Sequence, residues 1–256
     1  MSQVPQRSAG QPPFRLFGLA LSTLAIIGLT GLLFLVTALL CTLVATLLMG
    51  SEDLLALLAR MKDPATIRTD ESVLVLIQII GLLVYLAHVL AVAIIGRLRP
   101  SLPLAQRVAF VDWGGDRQFW WLLGAMLAYI LAAGLVLEAI LPEARDWVAL
   151  PKSPIGMFLS LILIVGLAPI AEELLFRGWI FTGLRLQMPF LPALAISSLL
   201  FALAHFERTF AYALVVFPVG VALGFVRERY GSVKAAMVFH GVFNLFGWII
   251  NTVQGI

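Results

Sequence analysis

Pro169-Ile170-Ala171-Glu172-Glu173-Leu174-Leu175-Phe176-Arg177-Gly178 is the stretch on which the reading of this chain turns. Two adjacent carboxylates and an arginine interrupt a segment whose flanks, Ile155 to Ala168 and Trp179 to Leu186, are almost wholly apolar. A charge at bilayer depth costs at least ~2.5–3.5 kcal/mol, so an ionisable residue held there points to a functional site. Helical geometry divides the two glutamates. Glu173 and Arg177 are four apart on one face, acid N-terminal to base, the better orientation for an ion pair. Glu172 points about 100° away around the helix and has no local partner. One carboxylate is neutralised by its neighbour while the other stays available for chemistry.

The composition agrees with a membrane setting. Of 256 residues, 61% are hydrophobic and 12% charged, and the mean hydropathy is +1.03. Soluble domains carry about 25% charged residues, so the expected class is an all-α, polytopic transmembrane bundle. The single cysteine, Cys41, lies in an apolar run and allows no intramolecular disulfide. The net charge of +3 and the pI near 9.4 reflect basic loops. No basic stripe interleaved with aromatics occurs, which argues against a nucleic-acid partner.

Working outward, Met1 to Arg15 reads as a disordered polar tail (1–15). Residues 16–150 read as N-terminal transmembrane helices, with spans at Leu16–Met49, Val73–Ile95 and Phe119–Leu141. The connector after the first contains Leu54-Leu55-Ala56-Leu57-Leu58, a candidate interfacial helix. Residues 151–256 form the functional core. A long helix covers Ile155–Leu186 with a kink at Pro169, and spans follow at about Leu191–Phe206, Phe210–Val226 and Val233–Ile250. Seven spans place the termini on opposite sides. The bias of lysine and arginine among the loops, 11 against 6, favours a cytoplasmic N-terminus. His88, alone in the second span, reads as a histidine packed against a backbone carbonyl.

Three further polar residues interrupt apolar helices: His205, and His240 with Asn244 one turn further along the last span. Each has a plain explanation as an interhelical hydrogen-bonder. Depth links them. Glu172 and His205 each lie about 21 Å from the turn between their helices, and His240 and Asn244 about 10–17 Å in from the same side. Glu172, His205, His240 and Asn244 are therefore expected to converge in one polar pocket. No G-x-S-x-G or H-E-x-x-H occurs. Carboxylate, two imidazoles and an amide suit activation of water by a general base, with the other groups polarising a carbonyl. The same Glu172, His205 and His240 could instead hold zinc with an open position. The residues alone leave both versions open.

Glu172-Glu173-x-x-x-Arg177, Phe201-x-x-x-His205 and His240-x-x-x-Asn244, in this order on successive helices, resemble the CAAX prenyl protease and bacteriocin-processing (CPBP, or Abi, type II CAAX endopeptidase) family. The resemblance covers roughly Ile155 to Ile250. It implies an intramembrane endopeptidase in which Glu172 activates water with His205 while His240 and Asn244 form the oxyanion site. Glu173 and Arg177 would be supporting residues. Family members are often labelled metalloproteases, and a metal-free glutamate mechanism has also been proposed. Here zinc would consume the carboxylate best placed as base, which favours the metal-free version. The implied partners are the lipid bilayer and a membrane-associated or lipidated protein or peptide, and the expected location is a bacterial cytoplasmic membrane. A non-catalytic scaffold or bacteriocin-immunity protein is the alternative. A transporter using Glu and His as a proton relay comes third, and the absence of an evident repeat counts against it.

Overall fold

A computed structural model describes residues 16–98, 104–140, 149–206 and 210–254. The tail expected at 1–15 and most of the loop expected at 142–154 lie outside the described residues. The described residues form helices and connecting turns. These are α1 (Leu16–Met49), α2 (Ser51–Arg60), α3 (Pro64–Thr69), α4 (Glu71–Arg97), α5 (Leu104–Arg107) and α6 (Arg117–Ile140). The long helical segment α7 (Pro154–Arg185) follows, then α8 (Phe190–Ala204), α9 (Phe210–Tyr230) and α10 (Val233–Gln254). Among the described residues, six helices are long and apolar enough to cross a membrane. With α8 added, the architecture is the polytopic all-α bundle of about seven spans that the composition predicts.

The seventh is short. Helix α8 has 15 residues, about 22 Å at 1.5 Å per residue against a hydrocarbon core of about 30 Å. It ends at Ala204 with His205 as its C-cap, so it stops at the depth of the polar residues rather than crossing fully. Helix α2 is the amphipathic element expected beside the first span, and none of its residues is buried.

The outside of the bundle is apolar and its centre carries charge. Leu21, Leu24, Leu35 and Leu39 of α1 are exposed, whereas Glu173, Arg177 and Arg227 are buried. That inversion of the soluble pattern suits a hydrocarbon solvent.

Capping ties the helix starts together. Asp70 caps α4 by accepting from the N–H groups of Ser72 and Val73. Glu71 accepts from the backbone N–H groups of Lys152 (2.8 Å) and Ser153 (3.0 Å), just before α7. Helix α4 therefore runs parallel to α7: Gly81 abuts Leu163, and Gly96 lies near Trp179. Helix α10 runs antiparallel to α7, and the Trp248 indole N–H donates to Ser160 Oγ at 2.9 Å.

Helices α8 and α9 pack as an antiparallel hairpin through glycines. A Cβ on Gly220 would sit 3.1 Å from Ser198 Cα, against backbone that cannot yield. At the end opposite the α8 C-terminus, the loop before α6 is sewn to the α9–α10 turn. The Val233 N–H donates to the Ala109 carbonyl at 2.9 Å, Lys234 pairs with Asp112 at 2.7 Å, and the Tyr230 hydroxyl donates to Asp116 at 2.6 Å.

Two outcomes follow. Gly220→Ala should destabilise the protein by about 1–3 kcal/mol through overpacking. Gly124→Ala, where a Cβ meets nothing within 4 Å, should be neutral or gain up to about 1 kcal/mol of helix propensity. Thermal unfolding in detergent separates them. The second concerns Asp116, whose carboxyl is held below the ordinary aspartate range by the Tyr230 hydroxyl, then by the Phe119 N–H, with Arg229 adding. A lowered folded-state value stabilises above the ordinary value of 3.8 and is lost as pH falls through the lowered one. The melting temperature of Asp116→Asn should therefore fall less steeply than wild type on acidification below about pH 4.

Candidate active site

Helix α7 does not keep one hydrogen-bond register. Residues Ile162–Leu167 and Leu174–Phe181 are π-helical, and the α-helical turn between them, Ala168–Glu173, carries Pro169 and both glutamates. Short π segments mark places where a helix is widened, often at functional sites. The expected kink at Pro169 is thus spread over a register change. In the first π segment the Ala168 N–H bonds to the carbonyl of Leu163, five residues back. Continued, that register would pair the Ile164 carbonyl with an N–H at position 169, and proline has none. The Asn244 amide donates to this Ile164 carbonyl at 2.8 Å.

The second π segment is braced likewise. The Phe176 carbonyl accepts from the Ser197 hydroxyl at 3.1 Å, and the Arg177 carbonyl from the Thr182 hydroxyl at 3.0 Å.

The two glutamates collect different partners. The Glu173 and Arg177 side chains are 0% exposed and paired at 3.0 Å. Arg177 also donates to the Gly220 carbonyl at 2.9 Å, and its guanidinium stands 4.2 Å from the centre of the Phe201 ring. His240 Nδ1 lies 3.0 Å from the same Glu173 Oε1. Glu172 is 15% exposed and His205 26%, and His205 Nε2 lies 3.9 Å from Glu172 Oε2. That is too long for a direct hydrogen bond, but a water about 2.8 Å from each group could bridge them. The other Glu172 oxygen accepts from the Tyr85 hydroxyl at 2.6 Å. His205 is oriented through Nδ1, 2.8 Å from the Phe201 carbonyl.

The sequence expectation of one four-residue pocket therefore resolves into two adjoining pairs, Glu172 with His205 and Glu173 with His240. Asn244 sits one turn beyond, on the helix break. Depth arithmetic locates residues along a helix but not around it, and adjacent glutamates about 100° apart face different neighbours. Tyr85 carries no charge and lies outside all three motifs, so no sequence signal marked it. His88 departs from expectation: its Nδ1 meets the Thr30 hydroxyl at 3.2 Å rather than a backbone carbonyl, and it couples electrostatically to Glu172.

The zinc that Glu172, His205 and His240 could hold needs three donors within about 2.0–2.2 Å of one point. Among the described residues, no three His, Cys, Asp or Glu side chains gather as such a group. His240 is turned to Glu173 and His205 to Glu172. As arranged, this set does not fit a zinc site.

An apolar cavity of about 210 Å³ lies beside α7, walled by Val89 and Val92 of α4, Leu104, Val108 and Leu174. Leu174 follows the glutamate pair in sequence, but none of the polar site residues lines this cavity.

Fold and site together define a helical membrane protein with a carboxylate–imidazole cluster inside its bundle. Residues 154–246 match the family described as Type II CAAX prenyl endopeptidase Rce1-like, so this segment is similar to that family. No curated protein and no solved structure matches the chain.

Removing one member of the buried pair leaves an uncompensated charge. Arg177→Ala should lower stability by about 3–5 kcal/mol. Asn244→Ala, which strands the Ile164 carbonyl, should lower it by about 1–3 kcal/mol. Folded yield and unfolding in detergent check both, and a wild-type melting curve for Asn244→Ala would show that the amide is not needed at the break.

Proposed function

We propose that the chain is an intramembrane endopeptidase, with residues 151–256 as its protease core and Glu172 as the general base toward water. The observation that carries this reading is the asymmetry of the glutamate pair. Glu173 is sealed and neutralised, whereas Glu172 is partly accessible and faces an oriented histidine across a gap that a water can span.

In this mechanism a water between Glu172 and His205 gives a proton to Glu172 as its oxygen attacks the scissile carbonyl carbon. Negative charge develops on the carbonyl oxygen. His240, held through Nδ1 by Glu173, donates to that oxygen through Nε2–H when the ring is protonated at both nitrogens. The Asn244 amide uses one N–H on Ile164 and has a second for the same task. Glu172 then passes its proton to the departing amine as the C–N bond breaks. The substrate class is a membrane-associated or lipidated protein or peptide that reaches the site from the bilayer of a bacterial cytoplasmic membrane.

A non-catalytic scaffold or immunity protein of the same family is the second reading. It is favoured by the engagement of Asn244 with the helix break, a purely structural bond.

Glu172→Gln separates the two. It should fold like wild type and lose about 10²–10⁴-fold of the peptidase rate. The measurement is peptide mass spectrometry on membranes containing each protein, confirmed with purified protein on peptides found only with wild type. Equal peptide profiles would leave the scaffold. Because the donor set does not fit zinc, exhaustive chelation should leave cleavage unchanged. Stoichiometric zinc by elemental analysis, with activity lost on its removal and restored on its return, would reverse that expectation.

A further inference from the structure

Glu172 is approached from a helix outside the segment that matches the family. Tyr85 lies on α4, and its hydroxyl donates to Glu172 Oε1 at 2.6 Å. His205 faces the other oxygen, Oε2, at 3.9 Å. The two oxygens thus have different neighbours, one tethered and one open toward the histidine.

A lone carboxylate on a helix can rotate about its side-chain torsions. One fixed oxygen removes that freedom and aims the second. The tether is itself well placed, because α4 is locked in register along α7. Glu71 binds the backbone ahead of α7 at one end, Gly81 abuts Leu163, and Gly96 meets Leu104 and Trp179 at the other end. One turn beyond Tyr85, His88 is held through Nδ1 by Thr30 of α1 and couples electrostatically to Glu172. Of these two α4 residues, Tyr85 is the one whose side chain is hydrogen-bonded to the carboxylate. Arg177 also couples to Glu172, but it is committed to Glu173 and the Gly220 carbonyl.

We propose that Tyr85 is a positioning residue for Glu172, holding Oε1 so that Oε2 faces the water shared with His205. The role rests on the peptidase reading above, while the tether itself can be measured without it. In this role the phenol acts on the reaction through the carboxylate it holds.

Tyr85→Phe in the full-length purified protein removes the hydroxyl and keeps the ring. Misaiming a base by a fraction of an ångström to an ångström should lower kcat about ten- to a hundredfold. KM should stay within about twofold, because ground-state binding is untouched, and the melting temperature should not change. A second readout needs no catalysis. Modification of Glu172 by a hydrophobic carbodiimide, followed by mass spectrometry with Glu172→Gln as blank, should run several-fold faster in Tyr85→Phe, since the tethered oxygen becomes free. Wild-type kcat in Tyr85→Phe alongside an inactive Glu172→Gln would overturn the positioning role and leave the peptidase reading standing. If wild type and Glu172→Gln cleave alike, the peptidase reading fails, and the carbodiimide rate alone decides whether the phenol holds the carboxylate. An unchanged rate overturns the proposal. Should Tyr85→Phe not fold, fluorotyrosine at position 85 keeps the ring and alters only the strength of the hydroxyl bond. A graded change in carbodiimide rate then supports the tether and an unchanged one overturns it.

Discussion

The sealed contact between Glu173 and Arg177 is the constraint on which the other features depend. Two charges withdrawn from water lose several kcal/mol of solvation each, and mutual attraction offsets this only with good geometry and further hydrogen bonds. The protein supplies those from three helices besides α7: the Gly220 carbonyl of α9, the Phe201 ring face of α8 and the His240 ring of α10. The pair thus acts as a hub that tells three helices where to stand. Its satisfaction is incomplete, since Glu173 Oε2 and Arg177 Nε are buried without a hydrogen-bond partner among the described residues. A pair arranged this way is poor at adding stability and well suited to fixing a unique packing. It also keeps Glu173 occupied, which leaves Glu172 as the carboxylate with room for a water.

The second organising feature is a flaw in a helix, corrected from outside. Pro169 cannot donate, the preceding turns widen into a π register, and the carbonyl of Ile164 is left for Asn244 to satisfy. Gly241 permits the close approach this requires, since a Cβ there would lie 3.0 Å from the Val165 carbonyl oxygen. One turn of α10 thus supplies His240 to the glutamate pair and Asn244 to the break. Helix distortion and polar site are a single construction: the register change sets the angular positions of Glu172 and Glu173, and the turn of α10 that meets Glu173 through His240 also braces the change through Asn244.

The sequence by itself determined the class of molecule. Long uncharged runs, with few charges elsewhere, leave only helices able to satisfy the backbone in hydrocarbon. The i,i+4 spacing of Glu173 and Arg177 predicts their pairing from helix geometry alone, and it holds even though a π segment begins between them. The spacing of Glu172 and His205 from the turn between their helices placed them at similar depths, because rise per residue is nearly constant. What only the tertiary structure decided is everything that depends on rotation about helix axes and on non-local register. That includes which glutamate meets which histidine, why Asn244 faces a carbonyl that proline leaves unpaired, and why the neutral Tyr85, 87 residues from Glu172 in sequence, reaches its carboxylate. A depth is a sum over local geometry, so it can be read along the chain. An azimuth accumulates every departure from ideal helix, and the two π segments of α7 shift it where the site lies.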